Sequence, residues 1–230
     1  PSMTSDVRAL VITGFGLNCE AETCRAFELA GSAPEKVHLN DLLDGRRTLD
    51  EFHVLAFIGG FSFGDHLGAG TVFANRIRCG LWEPVQRFVA DGKLVIGICN
   101  GFQTMAKLGI LPGLDDEPFA RRVALARNDR GSFHDGWVTL SVDPGSPCVF
   151  LRGIERIELP VRHGEGKLVF ADDGVREQVL QRHLVPLRYL DPATGEPTDV
   201  FPHNPNGAEF AAAGLCDPSG RIFGLMPHPE

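Results

Sequence analysis

Apolar and polar positions alternate between two patterns in the first half of the chain. Short apolar, β-branched runs bounded by turn residues are typical of buried strands, and four of them lie at residues 9–13, 36–39, 54–58 and 94–98. Helical spacing follows each run, at residues 20–30, 41–52, 71–90 and 101–108. Asn18 is the predicted N-cap of the first helix, and Gly45, Gly80 and Pro84 are predicted helix breaks.

This alternation of strands and helices predicts an α/β fold. The fold class is a doubly wound, mostly parallel sheet with flanking helices, whose loops line a crevice at the C-terminal ends of the strands.

The second half changes to short strand patterns separated by Gly, Pro and Asp turns. They lie at residues 123–127, 137–142, 154–160, 167–170, 185–189, 208–216 and 222–226. One helical pattern covers residues 175–183. We expect a mixed sheet with antiparallel additions on the same core and, since no linker or internal repeat is visible, a single domain over residues 1–230.

Composition and charge exclude several classes of function. The 230 residues carry a formal net charge of −8, which argues against binding a nucleic-acid backbone. No apolar run is long enough to cross a membrane. The six cysteines are scattered without CxxC spacing, so we expect no metal site and no disulfide framework, and a reducing cytoplasm as the location.

The strongest chemical pattern is Gly97-Ile98-Cys99-Asn100-Gly101, which joins a predicted strand to a predicted helix. Flanking glycines relieve the crowding of a tight turn that lifts one side chain above a sheet. Cys99 is therefore a candidate nucleophile, and the helix N-terminus beside it is expected to favour the thiolate. The alternative is a buried structural cysteine.

The last residues supply a candidate base. In the extended segment that Pro227 and Pro229 favour, His228 and Glu230 project to the same side, so the carboxylate can orient and charge the imidazole. A solvated tail is the alternative. The catalytic hypothesis requires the His228 imidazole to lie close to the Cys99 thiol in the folded protein.

Three glycine-bearing loops complete the candidate site. Residues 59–65 follow a buried strand, and we interpret their backbone N–H groups as oxyanion donors beside a small polar substrate; an ordinary βα loop is the alternative. Residues 163–167 and 204–207 are turns or substrate loops. His163 and Glu165 lack a third metal ligand nearby, and Cys19 is interpreted as structural.

Together these motifs resemble class I glutamine amidotransferases. Gly-Gly-Phe-Ser-Phe-Gly-Asp at residues 59–65 and Gly-Ile-Cys-Asn-Gly-Phe-Gln at residues 97–103 resemble the PurQ-type branch, the glutaminase component of phosphoribosylformylglycinamidine synthase. The resemblance covers essentially the whole chain. One departure is Gly136 before Trp137, where the family often has arginine; we expect it to alter a surface contact.

The resemblance implies a Cys-His-Glu triad of Cys99, His228 and Glu230 that hydrolyses L-glutamine to glutamate and ammonia. It implies oxyanion and substrate binding by a set of residues comprising Gly59, Gly60, Phe61, Asn100, Gln103, His163 and Gly164. It also implies a separate synthetase that holds ATP and magnesium and receives the ammonia for purine synthesis. A small accessory subunit is a further implied partner, and no cofactor is expected in this chain.

Two other hypotheses stay open from the sequence. The chain could be a cysteine hydrolase of the wider superfamily acting on another substrate, or a non-catalytic assembly subunit that retains the fold. Labelling of Cys99 by a glutamine analogue, blocked by L-glutamine, distinguishes the first alternative, and absence of ammonia release with the synthetase would favour the second.

Overall fold

A computed structural model describes residues 7–114 and 116–230 of the chain. The chain divides into two compact units, of which the first extends to residue 104 and includes Glu230, and the second covers residues 105–229. Among the described residues, no helix combines the length and the apolar character needed to cross a membrane.

The first unit is built on four parallel strands in the order β2-β1-β3-β4. They are Arg8–Thr13 (β1), Ala33–His38 (β2), Val54–Phe57 (β3) and Leu94–Ile98 (β4). Every residue of β3 is buried, as expected for a parallel strand that is covered on both faces.

Helices alternate with these strands as the sequence predicts. They are Glu20–Leu29 (α1), Leu39–Leu43 (α2), Thr71–Gly80 (α3), Trp82–Ala90 (α4) and Asn100–Leu108 (α5). Cys24 and Phe27 of α1 pack against Val11, Ala56 and Ile58 of the core. The N-cap prediction was wrong, because Cys19 and not Asn18 occupies that position, in a left-handed conformation without a side-chain cap.

The second unit is mainly antiparallel. Its elements are Val123–Ala126 (β5), His134–Val142 (β6), Arg156–His163 (β7), Lys167–Phe170 (β8), Asp173–Gln181 (α6), Leu187–Leu190 (β9), Gly214–Cys216 (β10) and Ile222–Leu225 (β11). Strand β5 pairs with β8, β6 lies between β7 and β9, and β10 pairs with β11.

The fold class is thus confirmed, with two differences in detail. The antiparallel strands β5 to β9 form two sheets of their own, a separation that the sequence pattern does not predict. The strand predicted at residues 208–216 is only Gly214–Cys216, preceded by a turn at Glu209–Ala211. Phe210 and Ala211 have positive φ angles of 58° and 56°, which are incompatible with a strand.

Candidate active site

Cys99 lies on a sharp turn between β4 and α5. Its φ angle is +50°, a left-handed conformation that is strained for a residue with a side chain. A Cβ atom at Gly101 would collide with the carbonyl group of Phe57 on β3, so only glycine fits there. The strand–turn–helix arrangement predicted for a nucleophile elbow is therefore present.

Burial governs the ionisation of this thiol. Cys99 is 5% exposed, and burial raises the pKa of its thiol to about 12. The Asn100 backbone N–H, which hydrogen-bonds to the sulfur, lowers the pKa, whereas the charges of Glu230 and Asp65 raise it further. The Asn100 N–H at the helix N-terminus thus acts in the expected direction, but burial outweighs it, and attack of the neutral thiol on a substrate needs a base.

The glycine-rich loop after β3 is held by the loop that follows β1. The Asn18 N–H donates to the Gly59 carbonyl at 3.0 Å, and the Phe61 N–H donates to the Gly16 carbonyl at 2.9 Å. Gly60 has a φ angle of +123°, and a Cβ atom there would lie 2.7 Å from the Gly16 carbonyl oxygen. Because the Phe61 N–H already has an acceptor, Gly59 and Gly60 are the better candidates for oxyanion donors in this loop.

The side chain of Asn100 joins the glycine-rich loop to the elbow. Its Nδ2 donates to Asp65 Oδ1 at 3.2 Å and to Gln103 Oε1 at 3.0 Å. Its Oδ1 accepts from the Ser62 N–H at 3.4 Å. Asn100 and Gln103 are both buried, so these polar groups meet each other and not bulk water.

Glu230 and Cys19 form a contact that the sequence analysis missed. The Cys19 sulfur and a Glu230 carboxylate oxygen lie within 4.8 Å of each other. Partial burial, followed by the charge and hydrogen bonding of Glu230, raises the pKa of Cys19 to about 11. The Cys19 thiol also donates to Asn18 Oδ1 at 3.0 Å. Cys19 therefore remains a neutral thiol beside the carboxylate of the predicted triad. The sequence signal that could have placed Cys19 near the candidate site is its position in the polar Asn18-Cys19 turn directly after β1.

In the second unit, β7 positions both predicted histidines. The backbone N–H of His228 donates to the carbonyl of Pro160 on β7 at 2.9 Å. His163 is the last residue of that strand. His228 is half-buried, whereas His163 is 2% exposed. A positive charge on His228 would disfavour one on His163, and His228 contributes to lowering the pKa of His163.

Two buried asparagines hold the loop at residues 163–166. Asn128 donates through Nδ2 to the His163 carbonyl at 2.9 Å and accepts the Gly166 N–H at 3.2 Å. Its backbone N–H donates to the Gly164 carbonyl at 2.9 Å. Asn206 donates to the Gly166 carbonyl at 2.8 Å. Three polar motifs that are far apart in the sequence thus meet in one unit.

His163 is a neutral imidazole in this environment. Burial, with smaller contributions from His134 and His228, lowers the pKa of His163 to about 4. Its Nδ1 lies 3.1 Å from Asn128 Oδ1, and since that oxygen only accepts, Nδ1 carries the proton. Within the part of the chain that the structure describes, the buried Nε2 atom has no hydrogen-bond partner.

The two units therefore each contain a coherent part of the predicted set. Cys99, Asn100, Gln103, Glu230 and the glycine-rich loop belong to the first unit, and His163, Gly164 and His228 belong to the second.

Comparisons with known proteins agree on a family. Residues 6–230 match the CobB/CobQ-like glutamine amidotransferase domain. The chain is 46% identical over 226 residues to the phosphoribosylformylglycinamidine synthase subunit PurQ of Dehalococcoides mccartyi, covering 98% of this chain and 86% of that protein. It is 40% identical to the same subunit of Methanococcus maripaludis strain C7, covering 97% and 81%. The structure of PurLQS from Thermotoga maritima matches with a TM-score of 0.74 and 32% identity, covering 98% of this chain and 88% of that one.

Proposed function

This chain belongs to the CobB/CobQ-like glutamine amidotransferase family, and from that premise we propose that it is the glutaminase subunit of phosphoribosylformylglycinamidine synthase. It hydrolyses L-glutamine to glutamate and ammonia for purine biosynthesis. The observation that carries this proposal is the buried Cys99 on a left-handed turn between β4 and α5, in a chain 46% identical to a PurQ subunit.

The chemistry follows from a neutral thiol in a buried turn. Cys99 Sγ attacks the side-chain amide carbon of glutamine while His228 accepts the thiol proton, because a thiol with a pKa of about 12 does not ionise at neutral pH by itself. Glu230 orients the imidazole of His228 and stabilises its positive charge.

The developing oxyanion accepts hydrogen bonds from backbone N–H groups of Asn100 and of the glycine-rich loop. His228 then returns the proton to the departing ammonia, and water hydrolyses the resulting thioester to glutamate. Gln103 contacts the substrate, and the loop containing His163 and Gly164 holds its amino-acid end.

The ammonia passes to a separate synthetase subunit that holds ATP and magnesium. A small accessory subunit completes the assembly, and a reducing cytoplasm keeps Cys99 as a thiol. The similarity to PurLQS from Thermotoga maritima supports this set of partners.

Replacement of the nucleophile tests this function. We expect Cys99→Ala to lower glutamine hydrolysis by the complete complex about 10³-fold or more, measured as glutamate and ammonia released. A glutamine-analogue alkylating agent should label Cys99 in the unaltered protein, and L-glutamine should block the labelling. Cys79→Ser is the matched control, because Cys79 is an exposed thiol. Unchanged turnover in Cys99→Ala would overturn the proposal.

A further inference from the structure

Two separate segments of the first unit must act together if the proposed function holds. The glycine-rich loop contributes oxyanion donors, whereas the turn after β4 carries the nucleophile. The two segments are linked by hydrogen bonds between the Asn100 side chain and the far end of the loop, at Ser62 and Asp65.

We propose that Asp65 and the carboxamide of Asn100 form a clamp that fixes the glycine-rich loop against the nucleophile turn. Both side chains are positioning residues: they act on the reaction through the backbone amides that they align. This inference rests on the proposed glutaminase function and assigns a role to side chains that the reaction itself does not use.

The conformation of the loop is one that surrounding contacts must hold. Phe63, Gly64 and Asp65 all have positive φ angles, of 53°, 65° and 53°. Two of these residues carry side chains, and left-handed conformations of such residues persist only when surrounding contacts hold them. Asn100 bonds to Ser62 before this stretch and to Asp65 at its end, so the hydrogen bonds span the strained segment.

The chemistry of asparagine matches its three partners. Its Oδ1 accepts the Ser62 N–H, while its Nδ2 donates to Asp65 and Gln103. Aspartate at position 100 would keep the acceptor, lose both donors and place a second carboxylate beside Asp65. Alanine would remove all three hydrogen bonds.

Loosening the clamp should affect the transition state more than substrate binding. The oxyanion exists only during the reaction, so misplaced donors lower kcat and change KM little. Misplacement of a catalytic group by about 1 Å costs on the order of 100-fold in rate.

The test uses the complete synthetase complex with Asp65→Ala, Asp65→Asn and Asn100→Asp, and measures kcat, KM and the alkylation rate of Cys99 by iodoacetamide. We expect Asp65→Ala to lower kcat about 10- to 100-fold with KM within about 3-fold. Asp65→Asn keeps an oxygen acceptor for Asn100 and should retain most of kcat. Alkylation, which needs no oxyanion donors, should not slow in either variant.

Exchange of the two groups provides a rescue that a merely structural role would not predict. Asn100→Asp alone should lower kcat, and the double variant Asp65→Asn with Asn100→Asp restores an amide–carboxylate pair of reversed polarity. The double variant should therefore exceed Asn100→Asp in kcat. Asp44→Ala is the matched control, since Asp44 is an exposed acid whose salt bridge is on the surface.

Several outcomes would overturn the clamp without touching the proposed function. Unchanged kcat in Asp65→Ala, equal losses in Asp65→Ala and Asp65→Asn, or absence of rescue in the double variant would each do so. An unaltered complex without glutaminase activity would instead overturn the proposed function. Thermal unfolding of each variant identifies loss of the fold, and the exchange pair then decides, because it preserves side-chain size.

Discussion

Burial determines the protonation states of two ionisable side chains in the candidate site, Cys99 and His163. It raises the pKa of the Cys99 thiol to about 12 and lowers the pKa of the His163 imidazole to about 4. In both cases the neutral form is the one that the surroundings favour. The favourable backbone hydrogen bond from Asn100 is insufficient to reverse this effect at Cys99. A helix N-terminus therefore does not by itself predict the ionisation state of a buried cysteine beside it.

The neutral state of His163 has a consequence for acid stability. The unfolded chain binds a proton at this residue below pH 6.5, whereas the folded protein does so only near pH 4. The contribution of His163 to the free energy of unfolding is therefore fully present above pH 6.5 and is lost as the pH decreases from 6.5 to 4. The loss attributable to this residue is on the order of 3 kcal/mol.

Urea unfolding at pH 7, 5.5 and 4.5 measures this effect. His163→Gln, which cannot titrate, should lose less stability between pH 7 and pH 4.5 than the unaltered protein does. His66→Gln serves as the control for the substitution itself, because it replaces an exposed histidine in the same way. If the unaltered protein and His163→Gln lost equal free energy of unfolding between pH 7 and pH 4.5, the assignment of a neutral His163 would be contradicted.

At the scale of elements, the loop after β7 owes its shape to Asn128. Asn128→Ala would remove the side-chain partners of the His163 carbonyl and the Gly166 N–H, and we expect a loss of about 2–4 kcal/mol in the free energy of unfolding. Since this loop is proposed to hold the amino-acid end of glutamine, KM should also rise. Denaturant unfolding and steady-state kinetics measure the two effects.

Asn40→Ala is the control for this variant, because Asn40 bonds to Arg76 at the surface. It should change neither quantity appreciably. A small stability change in Asn128→Ala, equal to that of the control, would show that the loop holds its shape without this side chain.

The same elements show which features a sequence pattern can predict. Strand β4, the turn at Cys99 and helix α5 follow from local signals, namely an apolar run, two glycines and helical spacing. The turn at Phe210 was missed, because apolar spacing there resembles a strand while the backbone is left-handed.

A local sequence pattern does not predict contacts between segments that are far apart in the chain. The carboxamide of Asn100 meets Ser62 and Asp65 only when β3 and β4 pair, and Cys19 meets Glu230 from the opposite end of the sequence. Family resemblance supplied the roles proposed for His163 and Gly164, whereas the two asparagines that hold this loop are visible only in the folded structure.

At the scale of the whole molecule, exposed aromatic side chains on the second unit are where we expect a partner to bind. Trp137 on β6 is 74% exposed, and Phe133 just before β6 is also exposed. The ring of Phe201 lies 5.3 Å from His134 of the same strand, and the Arg130 guanidinium lies 4.3 Å from the Phe201 ring centre. Exposed aromatic side chains with arginine are typical of protein interfaces.

We expect Trp137→Ser to weaken association with the synthetase subunit about 10- to 100-fold, because the variant loses a large exposed apolar surface and no core packing. Titration of labelled chain with synthetase measures the dissociation constant, and glutaminase activity at saturating synthetase should stay unchanged. Leu29→Ser is the matched control, since Leu29 is 72% exposed on α1 of the first unit and should leave the affinity as it is. Equal weakening in both variants would indicate a general effect of surface apolar area, and full affinity in Trp137→Ser would place the interface elsewhere. A selective loss would instead assign β6 to the surface through which the glutaminase joins its synthetase.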